Sequence, residues 1–67
     1  MDIRLNGAPY RVAGATLAQL LAEHAIDPAG RGIAIAINDA IVPRAEWRSA
    51  PLAAGDSVEI VKPHSGG

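Results

Sequence analysis

The segment Gly32-Ile33-Ala34-Ile35-Ala36-Ile37-Asn38 places a large β-branched residue at every second position, with alanine between. Side chains alternate between faces along a strand, so this pattern sends Ile33, Ile35 and Ile37 into a core and leaves Ala34 and Ala36 on the opposite face. A helix would scatter the isoleucines around its circumference, and their stiffness at χ1 disfavours it further. The segment reads as a central strand with one apolar face and one face of small residues.

The rest of the chain supplies partners for that strand. Met1, Ile3 and Leu5 alternate with Asp2, Arg4 and Asn6, the pattern of a half-buried strand. Asn6-Gly7 tolerates the positive φ of a tight hairpin turn, and alternation resumes from Pro9 through Tyr10 and Val12. Pro9 cannot donate to a ladder, which puts the second strand at an edge and the first strand further in. Asn38-Asp39 offers another turn, Ala40-Ile41-Val42 a very short strand ended by Pro43, and Arg44 to Arg48 one helical turn before Pro51. After a turn over residues 52–56, Ser57-Val58-Glu59-Ile60-Val61 forms the last strand, with Val58 and Ile60 inward.

One helix completes the set. Thr16-Leu17-Ala18-Gln19 is a capping-box pattern, in which the Thr16 hydroxyl accepts from the Gln19 amide and the Gln19 side chain reaches back. Leu17, Leu20, Leu21 and Ala25 recur at helical spacing, and Glu23 falls on the polar side. Asp27-Pro28 and the glycines at 30 and 32 stop the helix. The order strand, strand, helix, strand, short strand, strand predicts an α+β domain, one helix packed on one face of a mixed sheet of about five strands. The other face is left open.

With 67 residues, the chain holds one core and little room to enclose a substrate. A hydrophobic fraction of 49% against 19% charged residues is that of a folding chain. Stability at this size is about 3–10 kcal/mol by the per-residue rule, all of it from packing. The absence of cysteine excludes a disulfide framework, a thiolate zinc site and a thiol nucleophile. Scattered charges with a net of −1 give no basic stripe, so nucleic acid is not an expected partner. Neither a membrane-length apolar run nor an export-type start at Met1-Asp2-Ile3-Arg4 is present, and cytoplasm is the default compartment. His24 and His64 are too isolated for a metal site, and no cofactor is expected.

The chemistry concentrates at the end of the sequence. Beyond a body spanning residues 1–61, Lys62-Pro63-His64-Ser65-Gly66-Gly67 forms a tail that reaches about 20 Å when extended. Gly66 and Gly67 bury no side chain and suit a narrow channel, where any β-carbon would clash. A terminal carboxylate is ionised near neutrality and is a poor electrophile until converted to an anhydride. The chain has no phosphate loop, no thiol and no nucleophile-base set to do this itself, so it reads as a substrate of another enzyme and not as an enzyme.

From end to end the sequence resembles the ThiS family, the sulfur carrier proteins of thiamine biosynthesis within the ubiquitin-like β-grasp fold. The likeness is carried by the hairpin at Asn6-Gly7, Thr16-Leu17 with Leu20-Leu21, Ile35-Ala36-Ile37-Asn38, Ile41-Val42-Pro43-Arg44 with Trp47, the run Gly55 to Val61, and Gly66-Gly67. The resemblance implies that an E1-like (ThiF-type) enzyme adenylates Gly67, that a sulfur donor enzyme supplies the sulfur, and that the thiocarboxylate goes to a ThiG-type thiazole synthase. It also places partner contacts on the tail and the open sheet face, here Ala34, Ala36 and Val61 alongside Arg4 and Glu59. Two alternatives stay open: a carrier for a molybdopterin-type or amino-acid-type pathway, and a β-grasp binding module with a chemically silent tail. Trp47 is expected to cover one end of the core with its indole N–H satisfied by a carbonyl. Arg44 and Arg48 are either solvated or able to steer an acidic partner.

Overall fold

The computed structural model describes residues 1–62. Strands β1 (Asp2–Leu5) and β2 (Ala8–Arg11) form the first hairpin, followed by helix α1 (Leu17–Glu23). Strands β3 (Ala34–Ile37) and β4 (Ala40–Ile41) form the second hairpin. A 3-10 turn at Arg44–Glu46 then leads to β5 (Ser57–Val61). The sheet order is β2-β1-β5-β3-β4. Three pairings are antiparallel, and β1 with β5 is parallel. This is the predicted α+β arrangement, a helix on a mixed five-stranded sheet. The Ile/Ala segment is interior, as β3, but the middle of the sheet is β5. Ile33 lies just outside β3, and both it and Ile37 are half-buried against the core instead of inside it.

Both hairpins turn in two residues at positive φ, Asn6 and Gly7 at 50° and 83°, Asn38 and Asp39 at 51° and 68°. These are the angles that match the twist of adjoining strands. Pro9 sits on β2 at the sheet edge, as its missing N–H requires.

The core is Ile3, Val12, Leu17, Leu20, Leu21, Ile26, Ile35, Trp47, Leu52, Val58 and Ile60. Leu17, Leu20 and Leu21 make the single buried stripe of α1, at spacings of three and four. Truncating one of them to alanine costs about 2–5 kcal/mol, a large share of what a chain this short possesses. Thr16 caps the helix, its hydroxyl accepting from the Gln19 N–H at 3.2 Å. Only this half of the capping box is made among the described residues, because Gln19 instead folds over Gly14, where a β-carbon would clash with its side chain.

The helix stops at Glu23, five residues before Pro28. Ile26 N–H donates to the Leu21 carbonyl at 2.9 Å and Ala25 N–H to that of Ala22 at 3.1 Å. This is a Schellman closure with Ala25 left-handed at φ 54°. The N-terminus of the helix is held from the far end of the sequence. Leu17 N–H donates to the Ala50 carbonyl and Leu52 N–H to that of Ala15, both at 2.9 Å, and this seats Leu52 in the core.

Candidate functional site

Register decides which side chains share the open face. In β3 and β5, Ala34 lies opposite Val61 and Ala36 opposite Glu59. In β3 and β4, Ala36 lies opposite Ile41. Since Ile35, Val58 and Ile60 point to the core, all of these point away from it. They line a shallow depression of about 120 Å³ that is mostly apolar. Its rim carries the two most exposed large apolar side chains among the described residues, Ile41 at 72% and Val61 at 61%.

Four of the five sequence-predicted face residues, Ala34, Ala36, Glu59 and Val61, therefore come together. Arg4 also points away from the core, between inward-facing Ile3 and Leu5, but lies outside the depression. It is in register with Ser57 on the β1 side, and its guanidinium is turned to the hairpin, donating to the Gly7 carbonyl at 2.6 Å. Ile41 belongs to the patch and is absent from the predicted set. The signal for it was present: a two-residue turn at Asn38-Asp39 forces Ile41 opposite Ala36. Gly66, Gly67 and His64 lie outside the described residues.

The exit of β5 is held by a side chain. Leu5 is the last β1 residue paired with β5, opposite Val58. One step on, Asn6 donates its N–H to the Val58 carbonyl at 2.9 Å. Its Oδ1 accepts from the Ile60 N–H at 2.8 Å, and its Nδ2 donates to the Ile60 carbonyl at 3.3 Å. At the entry of β5, Asn38 N–H donates to the Ser57 carbonyl at 2.7 Å. Its Oδ1 accepts from the Ser57 N–H at 2.9 Å, and its Nδ2 donates to Asp56 at 3.0 Å. Sequence reading took both asparagines for turn residues only.

The Val-Pro-Arg-x-x-Trp run is explained by packing. Trp47 is buried and its indole N–H donates to the Val42 carbonyl at 2.9 Å, as expected. Pro43 starts the 3-10 turn with φ −58°, which proline holds by its ring. Arg44 lies 4.3 Å over the Trp47 ring and donates to the carbonyls of Pro28 and Gly30. Arg48 lines an apolar groove of about 160 Å³ beside Ala18, Ala22 and Trp47.

On the helix side, Tyr10 Oη donates to Glu23 at 2.6 Å and the Ala13 N–H donates to the same carboxylate at 2.8 Å. The Tyr10 bond, then the Ala13 one, hold Glu23 below its ordinary pKa, and Glu23 in turn raises Tyr10. This pair is remote from the open face. Among the described residues no three His, Asp or Glu side chains gather where a metal ion could be held. No helix among them is long and apolar enough to cross a membrane.

A family model described as "ThiS family" matches residues 3–67. The fold is similar to the crystal structure of a thiamine biosynthesis protein (ThiS) from Geobacter metallireducens, with a TM-score of 0.77, 24% identity and full coverage of both chains. It is similar also to the NMR solution structure of a thiamine biosynthesis protein from that organism. There the TM-score is 0.78 at 24% identity, covering 100% of this chain and 88% of the other. No curated protein sequence matches. The two structures support the fold, a β-grasp; the family model carries the relationship.

Proposed function

The chain belongs to the ThiS family, and on that premise we propose that it is a sulfur carrier for thiazole formation in thiamine biosynthesis. Residues 1–61 form the body and residues 62–67 the tail that carries the chemistry. The Gly67 carboxylate attacks the α-phosphorus of ATP in an E1-like enzyme, and pyrophosphate leaves. A sulfur nucleophile at the sulfide level, provided by a donor enzyme, then attacks the acyl carbon and displaces AMP, leaving a thiocarboxylate for a thiazole synthase. The chain itself supplies the acyl group and the docking surface, and needs no cofactor.

The observation that carries this reading is the family match, which runs through Gly66-Gly67. The apolar patch of Ala34, Ala36, Ile41 and Val61 supports a docking role for the open face. Its placement next to the end of β5 lets a partner hold the body and receive the tail together.

The test is ATP–pyrophosphate exchange by a ThiF-type enzyme with this protein as acceptor. Wild type supports exchange. A variant lacking Gly67 does not, although it melts like wild type, because the deletion removes nothing from the core. Exchange that persists without Gly67 contradicts the reading.

A further inference from the structure

Asn6 does more than turn the first hairpin. Successive N–H and C=O groups along a strand point to alternate sides, so those of Ile60 face the β1 edge while those of Val61 face β3. β1 ends at Leu5, one step short of supplying backbone partners there. The Asn6 amide fills the gap with one acceptor and one donor, at 2.8 and 3.3 Å. Ile60 is buried, so its polar groups need these partners. The parallel ladder is thus continued by a side chain to within two residues of Lys62.

We infer that Asn6 is a positioning residue for the reactive end: by clamping Ile60 it fixes where the chain leaves β5 at Val61 and Lys62. The inference rests on the sulfur-carrier reading above. Misplacing reacting atoms by about 1 Å can cost up to 100-fold in rate. The docking patch lies on β3, β4 and β5 and does not include Asn6, so the effect falls on turnover and not on docking.

Asn38 supplies the matched control. It too opens a two-residue turn at positive φ, 51° against 50° for Asn6, and clamps β5 through its amide, but at Ser57, the entry. Asn6→Gly and Asn38→Gly both keep the turn and both delete an amide clamp.

The experiment measures steady-state activation by a ThiF-type enzyme for wild type and both variants, alongside their melting curves. Both variants lose stability to a similar extent. Asn6→Gly lowers kcat by about fivefold or more with KM within about twofold, while Asn38→Gly changes neither. If Asn6→Gly does not fold, Asn6→Asp carries the test, since it keeps the turn and the acceptor for the Ile60 N–H and gives a kcat loss of the same sign. Unchanged kcat in a folded Asn6 variant, or an equal loss in Asn38→Gly, overturns the inference while leaving the carrier reading intact. A wild type that is not activated at all overturns the carrier reading, and the inference with it.

Discussion

Arg44 stacks on the ring of Trp47 at 4.3 Å and, from that position, donates to two carbonyls of the loop between α1 and β3. One planar cation thereby joins the 3-10 turn, the buried indole and residues 28–30. A lysine offers neither the flat face nor the forked donors. Arg44→Lys and Arg44→Ala are each expected to cost about 1 kcal/mol in urea denaturation, the size of a cation–π contact with exposed hydrogen bonds. Amide exchange should rise within residues 27–33 first. Exchange that rises uniformly would show that Arg44 has no local role.

Ala25 is left-handed at φ 54°, where a β-carbon is unfavourable. Ala25→Gly keeps the Schellman hydrogen bonds and removes that strain. The expected gain is about 0.5–1 kcal/mol, after allowing for glycine's extra freedom in the unfolded chain. A loss of stability on chemical denaturation would contradict the assignment of the helix end.

The Tyr10–Glu23 bond makes stability depend on pH at both extremes. Glu23 titrates below its ordinary value when folded, so its contribution is present above the unfolded carboxylate pKa of about 4.3 and is lost as pH falls through the folded one. Tyr10 is raised, so its contribution is present below about 10 and is lost as pH climbs through its folded pKa. Tyr10→Phe should flatten the alkaline limb and make the acid limb shallower without abolishing it, because the Ala13 N–H still binds the carboxylate. Identical pH profiles for the two proteins would remove the bond from the account.

Ile41 is 72% exposed and sits at the rim of the open-face patch. Ile41→Glu is expected to change stability by no more than about 0.5 kcal/mol, as surface substitutions do. It should weaken docking to the adenylating enzyme by about tenfold, the size of one apolar interface contact, with kcat at saturation unchanged. This is the opposite split from Asn6→Gly. Unaltered affinity would move the docking surface elsewhere.

Local pattern reached the elements that depend on near neighbours. The Ile/Ala alternation gave β3, Asn6-Gly7 and Asn38-Asp39 gave the hairpins, and Thr16 gave the start of α1. The same alternation turned Ala34 and Ala36 away from the core, while Glu59 and Val61 came from the family resemblance and meet them through the register of β3 with β5. What escaped depends on contacts far apart in the chain. The Asn6 clamp on Ile60 joins residues 54 positions apart and exists only because β5 enters between β1 and β3. Arg44 and Leu52 are likewise fixed by what packs against them. The end of α1 escaped for a different reason, since alanine at a left-handed position lacks the glycine that marks such stops.

The central claim is that Gly67 carries sulfur. Its most direct test is the intact mass of the protein after incubation with a ThiF-type enzyme, ATP and a sulfur donor, with fragmentation to locate any change. The account predicts a gain equal to one oxygen-for-sulfur exchange, confined to the C-terminal fragment, dependent on ATP and absent when Gly67 is deleted. An unchanged mass with an activating enzyme shown to be competent, or an exchange located in the body, would contradict it.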